Sequence, residues 1–191
     1  MGRVRYGLSN LYFATATDDG TGALTYGEPV SVPGAKSIAL DPQGDATDEY
    51  ADDVLWFHLD GNDGYSGDLE FEDTAAGEDF YNLVTGAVTD DDGVTFESSD
   101  DRPKEFALLG QFKLSGGTET GKRWCFFRCT ASRSKVEGKT KEKGVEVATN
   151  VVTITAMPRI SDDMVKATCP STSTKYATWF ASVPTKGTVT P

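Results

Sequence analysis

The sequence is poor in the residues from which most catalytic and metal sites are built. Its 191 residues include a single histidine, His58, and three cysteines, an odd number that rules out a complete set of disulfides within one chain. Cys125 and Cys129 lie four residues apart in an expected strand, about 13 Å, which is too far to bridge. Cys169 is isolated. We therefore expect buried, reduced thiols and a cytosolic compartment.

Long apolar runs and clustered cations are also missing. Apolar runs such as Val54–Phe57 and Phe106–Leu109 fall far short of the roughly 18 residues that a membrane helix needs. Near the N-terminus, Ser9 and Asn10 interrupt any signal-peptide core, so we expect a soluble chain that is not exported. The net charge of −12 and a pI near 4.4 argue against tight nucleic-acid binding, which requires clustered cations.

Charge is distributed unevenly along the chain. Residues 1–110 carry 24 acidic and 5 basic residues, whereas residues 111–191 carry 6 acidic and 13 basic residues. The two halves therefore have net charges of −19 and +7. Such asymmetry favours an interaction surface, within the molecule or between copies, without identifying the partner.

Most segments have the composition of β-strands, with short apolar stretches bounded by Gly, Pro and Asp. Gly61–Gly64 predicts a hairpin between strands at Val54–Asp60 and Tyr65–Glu72. A helix is expected over Ala75–Thr85, and a possible short second helix over Tyr176–Val183. We expect a mainly β fold, a sandwich or barrel with one flanking helix, in a single domain over residues 1–184 with a flexible extension at 185–191.

Two segments are too polar for a core. Asp41–Asp53 is strongly acidic and is expected to form a long irregular loop. Ser134–Gly144 is expected to be a basic connector.

The segments that come nearest to known catalytic and ligand-binding motifs lack residues that those motifs require. Gly116–Lys122 fits the spacing of a phosphate-binding loop, but Arg123 stands where Ser or Thr is needed and a strand follows, so a hairpin turn is favoured. Asp60–Phe71 lacks the glycine and the final glutamate of a calcium-binding EF-hand. No cofactor and no enzymatic activity are expected. We expect His58 to be packed or interfacial, and an irregular cation site within Asp41–Asp53 stays open.

A set of collinear segments resembles the major tail protein of long-tailed, non-contractile bacteriophages. The similarity covers nearly the whole chain, which is far more specific than any one motif. These segments are Tyr6–Leu8, Pro33–Ala35, Ser37–Pro42, Gly44–Asp45, Tyr50–Asp53, Gly64–Glu70, Pro103–Leu109, Cys129–Arg133, Val136–Thr140, Thr153–Arg159, Val165–Ala167 and Trp179–Phe180.

The resemblance implies a structural virion protein, assembled in the host cytoplasm, whose hexameric rings stack into a tail tube that conducts DNA. It implies a β-sandwich or barrel whose flanking helix matches Ala75–Thr85, and a long loop within Asp41–Gly64 that contacts the next ring. The partners it implies are other copies of the chain, the tape measure protein, the tail terminator and the baseplate or distal tail proteins. DNA would pass through the lumen without specific binding, and the family has no catalytic residues to transfer.

Three site hypotheses follow. A solvated acidic strand face would line the tube lumen, where like charge keeps DNA from sticking; it consists of Asp68, Glu70 and Glu72. A ring-stacking loop would contain Asp41, Asp45, Asp48, Glu49, Tyr50, Asp52 and Asp53. A basic partner surface would contain Lys135, Lys139, Lys141 and Lys143. The alternatives are a tube protein of a related secretion or contractile injection machine, and a β-sandwich carbohydrate-binding or adhesion module.

Overall fold

The computed structural model describes residues 4–116, 118–136 and 149–187. In these ranges the chain forms one helix and thirteen strands, and the fold is mainly β as expected. In chain order they are β1 (Val4–Asp18), β2 (Leu24–Tyr26), β3 (Val30–Ser31), β4 (Ala35–Gln43), β5 (Thr47–Ala51), β6 (Val54–Leu59), β7 (Gly64–Glu72), α1 (Ala75–Thr85), β8 (Val88–Thr89), β9 (Thr95–Phe96), β10 (Phe106–Ser115), β11 (Gly121–Ala131), β12 (Thr149–Met157) and β13 (Lys166–Pro170).

Nine strands form one antiparallel sheet in the order β2-β1-β10-β11-β12-β7-β4, with β3 paired to β1 and β13 paired to β11. β10 and β11 are joined by the expected hairpin at Gly116–Lys122, closed by a hydrogen bond from Leu114 N–H to the Thr120 carbonyl (3.0 Å). β5–β6 and β8–β9 form separate two-stranded hairpins.

Alternating side chains of β10 and β11 supply two cores, one on each face of the sheet. Leu108 and Trp124 point into the main core, which also contains Leu69 and Ile154 from β7 and β12. Their neighbours point into a second core on the opposite face; these are Ala107, Leu109, Cys125 and Phe127. Strands buried on both faces account for the near-continuous apolar runs in this part of the sequence.

Helix α1 closes the main core and has the bounds expected from the sequence. Thr74 caps its N-terminus by accepting a hydrogen bond from Gly77 N–H (3.1 Å). Gly86 ends it in the left-handed conformation (φ 89°), which glycine adopts without steric cost. The fully buried Phe80 contacts three core rings, those of Phe13, Phe71 and Phe106, with centroid distances of 5.0–5.8 Å.

The segment Ser171–Val183 closes the second core, but it does not form the possible helix. Its backbone bonds, from Tyr176 N–H to Ser173 and from Trp179 N–H to Tyr176, join residues three apart and form successive turns. Trp179 and Val183 are buried against β11, and the Arg123 guanidinium lies 4.0 Å from the Tyr176 ring centroid. The helical spacing of the apolar residues correctly predicted which side chains are buried. The Ser/Thr-rich composition and Pro184, however, favour turns over a helix.

All three cysteine side chains are buried in these cores, as expected, and are free thiols. Burial raises the pKa of Cys125 and of Cys129 well above the usual range for a thiol. Residues 185–187 follow without regular structure, and the rest of the expected extension at 185–191 lies outside the described residues.

Candidate interaction surfaces

A long two-stranded ribbon replaces the expected acidic loop. β4 pairs with β7 as far as Gln43 and Gly64, and β5 and β6 continue the same ribbon beyond the sheet edge. Hydrogen bonds from Asp63 N–H to Gln43 (2.9 Å) and from Gly61 N–H to Asp45 (3.2 Å) link the two parts. We call residues Asp45–Asp63 the arm.

The tight turn of the ribbon lies at Asp52 and Asp53, which both have positive φ angles (52° and 60°). Positive φ at both central residues defines the turn that matches the twist of a two-residue hairpin, and Asp tolerates it better than most residues. The predicted hairpin between β6 and β7 at Gly61–Gly64 is therefore wrong. The predicted irregular loop over Asp41–Asp53 is also wrong, because this segment completes β4 and forms β5.

Two glycines let the strands approach closely where the arm leaves the sheet. A side chain at Gly61 would stand 2.7 Å from the Asp45 carbonyl oxygen, and one at Gly44 would collide with the Gly61 backbone. Gly61, which was predicted to lie in a hairpin turn, instead permits this close approach of the two strands.

The arm exposes an unusual amount of apolar surface. Every residue of β5 and β6 is exposed, and Trp56 and Tyr50 are 73% and 70% accessible. Four other large apolar side chains are about half exposed: Val54, Leu55, Phe57 and Leu59. Isolated two-stranded hairpins are marginally stable in water, and contiguous exposed apolar surface marks interaction sites.

The strand register divides the arm into two faces. Glu49 pairs with Phe57, whereas Tyr50 pairs with Leu55, so the register shifts by one residue at Trp56. One face carries Ala51, Val54, Phe57 and Leu59 together with Thr47 and Glu49. The other carries Asp48, Tyr50, Leu55 and His58.

His58 joins the two strands near the base of the arm. Its Nδ1 contacts an Asp48 carboxylate oxygen, and its Nε2 lies 3.1 Å from Asp60 Oδ1. A hydrogen bond to Asp48, and then the negative charges of Asp48 and Asp60, raise the pKa of His58 above its usual value near 6.5. A neutral imidazole has one N–H, so only the protonated ring donates to both carboxylates. His58 is not packed in the subunit, as its side chain is about half exposed.

The predicted acidic strand face lies on the outside of the sheet. Leu69 and Phe71 of β7 are fully buried in the main core, which places Asp68, Glu70 and Glu72 together on the opposite, solvated face. The hydroxyl of Thr153 donates to Asp68 (2.9 Å), and Thr149 and Ser37 donate to the two oxygens of Glu70 (2.9 and 3.1 Å); Lys36 pairs with Glu72 (3.0 Å). The three carboxylates of β7 are therefore held by hydroxyl groups of β4 and β12 and by Lys36.

The predicted basic surface is described only at its start. Arg133 Nε pairs with Glu97 (3.0 Å), and Arg133 Nη2 donates to the Ser98 carbonyl (3.1 Å), which places the chain leading to Lys135 beside the end of β9. Lys139, Lys141 and Lys143 lie outside the described residues. Whether these lysines form a partner surface stays a prediction.

The β8–β9 hairpin is a second element with exposed apolar side chains. Val88, Val94 and Phe96 are 66%, 49% and 60% accessible. Two hydrogen bonds close its turn: Asp90 N–H donates to the Val94 carbonyl (2.9 Å), and Val94 N–H donates to Asp90 Oδ1 (2.8 Å). Apart from apolar residues on each side of an Asp-rich turn, no sequence pattern predicts this exposed hairpin.

Among the described residues, no group of three or more His, Cys, Asp or Glu side chains has an arrangement that could hold a metal ion. Within the same ranges, no helix is long and apolar enough to cross a membrane.

Comparisons with known proteins concern the fold. No family model matches the chain, and no curated protein matches it in sequence. Among solved structures, the chain is similar to the anti-feeding prophage cap, described as the AFP tube terminating cap. The TM-score is 0.51 with 11% sequence identity, over 88% of this chain and 94% of that chain. The two proteins thus share a fold over nearly their full lengths.

Proposed function

We propose that this protein is a structural subunit of a phage tail or a phage-tail-like machine, and that it self-assembles into stacked rings that form a tube. The observation that carries the proposal is the arm, a two-stranded hairpin whose large apolar side chains are about half exposed or more in the part of the chain that the structure describes. A similar fold in a tube terminating cap, and the resemblance of the sequence to siphophage major tail proteins, support the tail-related role.

The arm accounts for stacking. Its three aromatic rings, Tyr50, Trp56 and Phe57, leave roughly 400 Å² exposed, taking about 200 Å² for a whole aromatic side chain. Tyr50 and Phe57 lie on opposite faces of the arm, so this area supplies about half of the ~800 Å² per partner that a stable interface needs only if both faces are covered. Large aromatic side chains are also the residues that contribute most when an interface buries them. The acidic stacking residues Asp45, Asp48, Glu49, Asp52 and Asp53 lie on this arm, and Asp41 lies in β4 just before it.

The acidic face of β7 accounts for the lumen in this proposal. Asp68, Glu70 and Glu72 would repel the phosphates of passing DNA and avoid the counterion release that makes DNA bind to basic walls. The proposed location is the virion tail, with DNA passing through without specific binding. The proposed partners are other copies of the chain and, at the ends and inside of the tube, the tail terminator, distal tail and tape measure proteins.

Negative-stain electron microscopy of the concentrated protein tests the proposal. Wild-type protein should form rings or tubes, and Trp56→Ser should raise the concentration needed for assembly at least tenfold, since loss of a buried interface tryptophan costs about 2 kcal/mol or more. Val30→Ser, which changes a half-exposed apolar side chain on β3, is the matched control and should assemble like wild type. Monodisperse monomers at all concentrations would refute the proposal.

A terminating cap is the second candidate function, and the fold similarity to a tube terminating cap favours it. A cap and a tube subunit differ in whether stacking continues. Long tubes of the purified protein would support a tube subunit, whereas single rings that bind only one end of a tube would support a cap.

A further inference from the structure

We propose that the arm of one copy docks on the start of β1 and the adjoining end of the β10–β11 hairpin in a second copy. We call this surface the basic end; it consists of Val4, Arg5, Tyr6, Lys113 and Lys122. The inference rests on the proposed function, because it names the surface that receives the arm when copies assemble.

One face of the basic end presents apolar side chains beside a lysine. Val4 and Tyr6 are 61% and 53% accessible, and they pair with Ser115 and Lys113 of β10. Alternate residues of a strand share a face, so both apolar side chains stand on the same side of β1. The Lys113 side chain runs along this strand, with its Cδ 3.7 Å from the position that a Cβ would take at Gly7.

The cations of the basic end are not paired with carboxylates. The Arg5 guanidinium lies 4.8 Å from the ring centroid of Phe112, which pairs with Lys122 of β11. Among the described residues, no carboxylate forms an ion pair with Arg5, Lys113 or Lys122. Residues 4–17 and 106–123 together contain four cations and a single carboxylate, that of Glu119.

The arm has the opposite charge. It contains seven carboxylates and no lysine or arginine. Asp48 and Asp60 contact His58. The other five carboxylates form no ion pair with any residue that the structure describes: Asp45, Glu49, Asp52, Asp53 and Asp63. Unpaired charges of opposite sign beside apolar surface steer two such elements together and fix their orientation.

Other exposed apolar side chains lack this cationic surrounding. The β8–β9 hairpin lies within residues 87–105, which contain seven carboxylates against two cations. Val30 lies within residues 19–35, which contain two carboxylates and no lysine or arginine. Near Ile160, two carboxylates follow in the sequence, and the preceding arginine is already paired with one of them. Charge therefore favours the basic end over these surfaces as the receiver of the acidic arm.

The arm and the basic end are unlike surfaces, and both are exposed in the single subunit. A contact between them leaves one free arm and one free basic end on every pair of copies. Such a head-to-tail contact adds further copies instead of stopping at a dimer, as a ring or a stack requires.

Cross-linking between two variants tests the contact directly. Ala51→Cys places a thiol near the turn of the arm, and Ser115→Cys places one beside Val4; both positions are exposed. The three natural cysteines are buried and should not react. An equimolar mixture treated with a short bismaleimide should give at least ten times more covalent dimer than a mixture of Ala51→Cys with Thr95→Cys, whose thiol lies on the exposed β9.

Assembly of single variants tests the apolar part of the contact. Tyr6→Ser should raise the concentration at which particles form by at least tenfold, since aromatic side chains dominate interfaces that bury them. Phe96→Ser is the matched control, with 60% against 53% exposure, and should change that concentration less than twofold.

A double-mutant cycle tests the charges. The pair Lys113→Gln and Lys122→Gln should raise the assembly concentration about tenfold in the wild-type chain. It should raise it less than threefold in the background Asp52→Asn and Asp53→Asn, because the partner charges are then missing. Asparagine tolerates the positive φ angles of these two positions, so the turn is kept.

The predicted basic surface supplies the competing receiver. Lys139→Gln with Lys141→Gln removes the same charge there and should change assembly less than twofold. If wild-type protein assembles but this variant is the one that fails, or Tyr6→Ser assembles as well as Phe96→Ser, or the two cysteine mixtures cross-link equally, the basic end is not the receiving surface and the proposed function stands. If wild-type protein forms no rings or tubes, both fail.

Discussion

Replacing Phe80 and Phe57 in turn by alanine makes the same chemical change in the core and on the arm. Phe80 is fully buried on α1 among three aromatic rings, so Phe80→Ala should cost about 3–5 kcal/mol of the free energy of unfolding. For a chain of this size, about 2–4 °C is lost per kcal/mol, which gives a melting temperature lower by roughly 6–20 °C. Phe80→Leu should lose much less, because it keeps most of the buried volume.

Phe57 is 48% exposed on β6, and its removal should change the stability of the dilute monomer by about 0.5 kcal/mol or less. Phe57→Ala should instead weaken assembly. The assays are thermal unfolding by circular dichroism on dilute protein and light scattering on concentrated protein. A melting temperature for Phe57→Ala as low as that of Phe80→Ala would show that the arm packs on the subunit, and would refute the reasoning that leaves it free to bind a partner.

Three further predictions follow from the contacts above. Because the pKa of His58 is raised by Asp48 and Asp60, the stabilisation that the protonated ring gives the arm should be complete below about pH 6.5 and be lost as pH rises through the raised pKa; backbone ¹⁵N relaxation should report a more mobile arm at pH 9 than at pH 6, and His58→Gln should abolish the difference. A thiol reagent should label Cys125, Cys129 and Cys169 only after denaturation, and rapid labelling of the native protein would contradict their burial. Tubes of the triple variant Asp68→Lys, Glu70→Lys, Glu72→Lys should bind DNA in a salt-dependent way while wild-type tubes should not; equal binding by both would exclude these residues from the lumen.

The sequence predicted the elements whose signals are local. Helix α1 has both of its ends marked, by Thr74 and Gly86, and its bounds were predicted correctly. The solvated face of β7 was also predicted, from Asp68, Glu70 and Glu72, and the intervening Leu69 and Phe71 are buried. In both cases the residues that determine the structure lie within a few positions of one another.

The arm could not be predicted because its determinants are not local. Val54–Leu59 has the composition of a buried strand, yet it pairs only with an acidic strand among the described residues and is exposed. Under the proposed function, this apolar composition suits burial against another subunit. The acidic composition of Asp41–Asp53 predicts a loop because the turn of the hairpin uses Asp52 and Asp53, where glycine or asparagine is the usual signal.

The closure of the second core by Ser171–Val183 has a consequence for biosynthesis. The ribosome makes the apolar arm more than a hundred residues before it makes Trp179 and Val183, which cover the outer face of β10 and β11. A nascent chain therefore exposes the apolar arm while Phe127 and Leu109 are not yet covered by Trp179 and Val183. Under the proposed function, a subunit whose second core is closed exists only after this late segment has been made.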